Sequence, residues 1–177
     1  LIAEQLEVPS LYLAFNKVTA TEASEKFGKH VTCQTTHSLA YSVFGKTLRD
    51  KLSRPKGKYV NVAGPGAEIG RFFNIAPITQ GMEIVLTSAF MGMLTRATVA
   101  KFEQSSDTEI TTSHTPYGDL MEKFKTATFD VRQTQTTLVH FAKKLWKERT
   151  DLNSPVLATH DTYLKMYQLS KPELKAY

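Results

Sequence analysis

Leu11-Tyr12-Leu13-Ala14-Phe15-Asn16-Lys17 is the stretch that decides the fold class. Its apolar part is unbroken and of strand length. A run without alternation suits a parallel strand covered on both faces. It stops abruptly at Asn16-Lys17. Beyond it, Ala20, Ala23, Ser24 and Phe27 recur at helical spacing, and Gly28 ends the pattern as a helix C-cap would. Val31-Thr32-Cys33 predicts a second short strand. Thr36-His37-Ser38 opens another helix, with stripes Leu39/Val43 and Ala40/Phe44, closed by Gly45. Strand, polar turn, helix, stated twice over 11–45, is the grammar of a parallel α/β sheet. Two strands are too few for a stable parallel sheet, so the sheet is expected to be completed by chain beyond this sequence.

The character changes after Gly45. Residues 46–63 are basic and turn-rich, with Arg54-Pro55-Lys56-Gly57-Lys58, and predict a linker with a short strand at 59–62. The remainder is mainly helical in pattern. A short helix fits 66–74. A long one fits 80–103, with Leu86, Ala89, Phe90, Met93, Ala97 and Ala100 on one face. The Thr-rich stretch 104–118 predicts a loop, and 119–125 a helical turn. Leu138, Phe141, Ala142 and Leu145 form the apolar stripe of a helix over 133–149. A last helix fits 160–169, ended by Lys171-Pro172. The expected organisation is a short α/β piece over 1–45, a mainly helical lobe over 46–158, and a return segment over 159–177.

Composition removes several classes. The 177 residues hold 22 Lys+Arg against 17 Asp+Glu, a net +5, with 41% hydrophobic residues. That is ordinary globular composition. A single Cys excludes an internal disulfide. No apolar run approaches the ~20 residues of a spanning helix, so no membrane partner is expected. Leu1–Gln5 shows no signal-peptide pattern. The surplus charge permits a polyanionic partner without demanding one.

Few catalytic constellations survive inspection. Gly45-Lys46-Thr47 has the last letters of a phosphate-binding loop, but position 40 is Ala where that motif needs Gly. Gly64-Pro65-Gly66 with Gly70 fails the dinucleotide spacing and fits a turn with a helix start. No two acidic residues are adjacent, so there is no Asp-Glu pair to hold Mg²⁺ and a water. His30, His37, His114, His140, His160 and Cys33 lack close metal-ligand spacing. Cys33 fits a buried structural residue.

Two turns remain. Phe15-Asn16-Lys17 and Thr35-Thr36-His37-Ser38 both lie at the carboxyl ends of predicted strands, where open parallel sheets bind ligands. An amide, an ammonium, hydroxyls, an imidazole and one aromatic face suit a nucleic-acid backbone. The competing reading makes Asn16 and Thr36 helix caps, Phe15 core and His37 an ordinary packed histidine. A basic stripe on the 133–149 helix, with His140, Lys144 and Lys147 and with Lys143 and Arg149 nearby, is open to the same two readings: a solvated face or a DNA-facing patch. Trp146 fits a packing anchor.

The order of these residues resembles a known family. Leu11–Lys17 followed by Thr35-Thr36-His37-Ser38-Leu39-Ala40-Tyr41 resembles motif Ia and the Thr-x-His-Ser motif of UvrD-like superfamily 1 DNA helicases, in particular the F-box DNA helicase type. Thr98–Ser105, His114-Thr115-Pro116 and Ala142–Trp146 are similar to the helical insertion of that branch. Thr159-His160-Asp161-Thr162-Tyr163-Leu164-Lys165 resembles its segment before the Asp-Glu-Ala-Gln box. The resemblance implies part of a RecA-like α/β subdomain with an inserted helical subdomain. It implies an ATP-dependent parent that moves 3′ to 5′ on single-stranded DNA and unwinds duplex, in recombination or repair. That parent is intracellular, nuclear in a eukaryote and at the nucleoid in a bacterium. By motif position, Phe15, Asn16, Lys17, Thr36, His37 and Ser38 contact DNA, with Tyr163 and Lys165 as further contacts. The implied partners are single-stranded DNA, single/double-strand junctions and the remainder of the helicase chain. ATP and Mg²⁺ belong to the parent, with no cofactor in this chain. Without a phosphate-binding loop or an Asp-Glu box, this chain alone is expected to be inactive. The alternative is a non-enzymatic DNA-binding or protein-interaction module derived from a helicase.

Overall fold

The computed structural model describes residues 8–52, 66–118 and 130–173. The expectations for 1–5, 54–62 and 119–125 lie outside the described residues. The chain divides into two compact units, one of Leu1–Thr47 with Tyr163–Tyr177 and one of Leu48–Thr162.

In the first unit, β1 (Ser10–Ala14) and β2 (Val31–Thr35) form a parallel pair, in register from Ser10 opposite Val31 to Ala14 opposite Thr35. The crossover between them is α1 (Lys17–Lys26), which buries Ala20 and Ala23. Small residues there let the helix lie close to the sheet. The Tyr12 and Phe27 rings meet at 5.4 Å. The C-cap is Phe27, whose N–H donates to the Ala23 carbonyl, so the helix ends ahead of Gly28. Then α2 (Thr36–Ala40) leaves β2 directly and runs into a π-helical turn, Tyr41–Gly45. The architecture is the mixed α/β one expected: a two-stranded parallel sheet with helices, consistent with a partial RecA-like fold, and a mainly helical remainder.

The second unit holds α3 (Arg49–Leu52), α4 (Gly66–Phe72), β3 (Ile78–Gln80), β4 (Glu83–Leu86), α5 (Ser88–Glu103) and α6 (Val131–Thr150). The last helix, α7 (His160–Leu169), starts in this unit and continues in the first. Ile69, Leu86, Met91, Leu94, Val99, Phe102, Leu138 and Leu145 form the core. Each such side chain contributes about 1.5–3 kcal/mol by leaving water.

One expectation is corrected here. The helix predicted over 80–103 begins at Ser88, and the residues before it form an antiparallel hairpin, β3 with β4. Gly81, at φ 60°, takes the first position of its two-residue turn, a conformation open to glycine. β-Branched Ile84 and Val85 favour strand. Thr87 then caps α5 by accepting the Phe90 N–H at 3.2 Å. The buried face of α5 also differs. Met91, Gly92, Leu94, Thr95, Thr98, Val99 and Phe102 are inside, while Ala89 and Met93 are exposed. Two threonines tolerate burial because each donates back along the helix: Thr95 to the Met91 carbonyl and Thr98 to the Leu94 carbonyl, both at 2.8 Å.

Glycines set the crossing of α4 and α5. A Cβ on Gly66 would strike the Ala89 carbonyl and the Met93 backbone. One on Gly92 would strike the Gly66 carbonyl, and one on Gly70 would lie 2.6 Å from the Ser88 carbonyl. The helices touch backbone to backbone. Gly66-x-x-x-Gly70 is thus a packing seam, one helical turn apart on a single face.

Candidate nucleic-acid interface

The parallel register brings the two candidate turns together. Ala14 and Thr35 are the last pair of the ladder, so Phe15 and Thr36 leave the same sheet edge side by side. Phe15 is 90% exposed. A phenyl ring projecting into water just beyond Ala14, the one buried residue of β1, contributes nothing to the core. The packing reading of Phe15 is therefore corrected.

Asn16 is the N-cap of α1: its side-chain oxygen accepts the Thr19 N–H at 2.8 Å. Its amide NH₂ makes no hydrogen bond among the described residues, and it stands exposed beside the exposed Lys17. The cap of α2 is Thr35 rather than Thr36. The Thr35 hydroxyl accepts the Ser38 N–H at 3.0 Å and shares a hydrogen bond with the Ser38 hydroxyl at 2.8 Å. Thr35 and Thr36 are both cap-forming residue types, so the sequence alone does not choose between them. Capping by Thr35 leaves Thr36 as the first helical residue, half-buried, with Ser38 exposed.

His37 is half-buried, and its ring meets Tyr163 edge-on at 6.0 Å and 89°. Tyr163 also meets Tyr41 at 5.6 Å. Tyr163 is 3% exposed and Lys165 1%. The expectation that these two side chains contact DNA is corrected by that burial. Tyr163 instead backs the imidazole of His37, a supporting role with no sequence signal of its own.

Other clusters carry no chemistry of this kind. His114 lies beside Ser105 and Asp107, a combination found in nucleophilic triads. Both partners, however, face the same ring nitrogen, Nε2, at 3.2 and 3.1 Å, while Nδ1 accepts the Thr111 N–H at 3.1 Å. A triad needs its serine and carboxylate on opposite nitrogens. The Ser105 hydroxyl donates to the Phe102 carbonyl, so the group pins the loop after α5. Cys33 is half-buried, and burial pushes its thiol up, away from the thiolate a nucleophile needs. Gly45-Lys46-Thr47 does not fit a nucleotide phosphate: Gly45 is buried in the π-helical turn, and the Lys46 N–H is committed to the Tyr41 carbonyl. Among the described residues no group of three metal-ligating side chains converges. Among them, too, no helix is long and apolar enough to cross a membrane.

Comparison with known proteins follows the same direction. No protein-family model and no solved structure matches the chain. It is 33% identical over 173 residues to F-box DNA helicase 1 of Gallus gallus, a match covering 94% of this chain and 16% of that protein. The chain thus spans a small part of the relative's length. Over nearly all of its own length, it is related to a segment of a DNA helicase.

Proposed function

We propose that this chain is part of an ATP-dependent DNA helicase of the UvrD-like type and supplies single-stranded DNA contacts for 3′ to 5′ translocation and unwinding. The observation that carries the reading is the shared sheet edge, with exposed Phe15 on one turn and Thr36-His37-Ser38 on the next. Phe15 stacks on a base, a contact worth about 1–3 kcal/mol per base. Asn16 and Lys17 hold the adjoining backbone by amide and ammonium. Thr36 and Ser38 offer hydroxyls to phosphate or sugar, and His37, steadied by Tyr163, offers its ring edge.

On this reading ATP and Mg²⁺ are bound by the rest of the parent, hydrolysis belongs there, and the chain alone is expected to be inactive. The parent acts where DNA is kept, in the nucleus of a eukaryote or at the nucleoid of a bacterium, in recombination or repair. Fluorescence anisotropy with an oligo-dT strand tests the reading. The chain should bind weakly, with an affinity that falls with salt by a small slope. Phe15→Ala with His37→Ala should weaken binding tenfold or more, by about 1–3 kcal/mol for the lost stacking alone. Unchanged binding in the double variant would refute the assigned track.

A further inference from the structure

We propose that the outward face of α6 is a second DNA surface, which docks the phosphate backbone of duplex DNA. At about 100° per residue, Arg132, Thr136, His140, Lys143, Lys144 and Lys147 fall within an arc of about 120°. All six are exposed. Opposite them lie the buried positions Thr134, Leu138, Ala142, Leu145 and Arg149. The outward arc is uniformly cationic or neutral.

A solvated helix face normally intersperses acids with its lysines, because pairs three or four residues apart stabilise it. From Val131 to Lys147 there is no acidic residue at all. Glu148, the next carboxylate, accepts the Ser154 hydroxyl at 2.5 Å. Glu109 borders the same shallow cleft as Lys143. Among the described residues, none of these cations has a carboxylate at ion-pair distance. Lys144 is held 5.5 Å above the Phe141 ring, which fixes its ammonium without neutralising it.

The form of the surface selects the ligand. From Arg132 to Lys147 the row is straight and about 22 Å long, the length of about six base steps of a duplex strand. Duplex DNA is stiff on that scale and offers phosphates at fixed spacing. A single strand, by contrast, is held by aromatic platforms. The arc has none, since Phe141 and Trp146 are half-buried and lie outside it. Phosphates alone are engaged, so binding is independent of sequence. The choice of DNA among polyanions rests on the helicase reading above; the choice of duplex rests on this face.

The test is anisotropy with the full chain, using a blunt duplex about three times the length of the six-step footprint and, separately, an oligo-dT strand. The variant Arg132→Gln/Lys143→Gln/Lys147→Gln should lose duplex affinity tenfold or more. Its log-affinity against log[salt] slope should fall by about 2–3, with oligo-dT binding unchanged within about twofold and helical circular dichroism intact. A charge-matched variant at exposed Lys26, Lys29 and Lys46 should leave the duplex slope in place. The proposal is overturned if the wild-type chain ignores duplex, if the α6 variant retains its affinity and slope, or if the charge-matched variant loses as much. It is overturned equally if polyglutamate or phosphatidylserine vesicles bind the wild type more tightly than duplex does and lose as much in the α6 variant. The Phe15/His37 variant, read on oligo-dT, reports separately on the single-strand track.

Discussion

Nη1 of Arg149 stands 2.9 Å from both carboxylate oxygens of Glu103, and each side chain is 2% exposed. The Thr162 hydroxyl adds a third contact by donating to Glu103 Oε1 at 2.7 Å. The cluster ties the end of α5 to the end of α6 and to the first turn of α7. The Nε of Arg149 is buried with no hydrogen-bond partner among the described residues, so the pair is incompletely compensated. Removing one member leaves a bare buried charge, which costs about 3–5 kcal/mol. Glu103→Gln or Arg149→Met should each cost that much in urea unfolding. The double variant Glu103→Leu/Arg149→Met should recover most of it. A double variant no better than the singles would show that the pair is net stabilising.

Gly92→Ala places a methyl group against the Gly66 carbonyl, which is backbone and cannot swing aside. Overpacking of this kind costs about 1–3 kcal/mol or more. The second unit should lose at least that in thermal or urea unfolding. Met93→Ala, an exposed neighbour on the same helix, should change stability by less than about 0.5 kcal/mol.

Lys51 is 2% exposed and donates to the Glu148 carbonyl at 2.7 Å and to the Asp151 carbonyl at the end of α6. Burial lowers the affinity of its amine for a proton, against the opposing pull of Asp151 and Glu148. With the native value below the unfolded 10.5, the unfolded chain binds more protons between the two, and stability contributed by this group rises with pH there. Lys51→Met orphans two helix-end carbonyls and should cost about 1–3 kcal/mol at pH 7. The gap between wild type and variant should widen as the pH climbs toward 10.5. A gap that narrows would contradict the direction of the shift.

Tyr163 supports His37 through a ring edge. A double-mutant cycle on oligo-dT affinity should therefore couple Tyr163→Leu to His37→Ala by about 0.5–1.5 kcal/mol, the value of an aromatic pair. It should couple Tyr163→Leu to Phe15→Ala by less.

What the sequence made legible followed from local rules. The unbroken run ending at Phe15, the cap at Asn16 and the helical stripe of α6 each depend on neighbours close in the chain, and each yields to pattern. The hairpin before α5 was legible in principle from Gly81 and the β-branched Ile84-Val85, but the long apolar periodicity downstream masked it. The glycine seam was not legible, because Gly66 and Gly92 acquire meaning only when two distant segments cross. Burial of Tyr163 and Lys165 was hidden for the same reason: a motif position tells which residues lie near a ligand, not which of them reach the surface. The register of β1 on β2, which joins the two turns, is a tertiary fact that only the fold supplies.

That register has a mechanical consequence. The turns at Phe15 and Thr36 hang from adjacent ends of one hydrogen-bonded ladder, at a strand spacing of about 4.8 Å. Neither can advance without the other unless ladder bonds break. On the proposed function, a strand of nucleic acid gripped at both points would be held by jaws of fixed gauge. Such a grip can be carried forward or let go as a whole, but it cannot be opened by spreading.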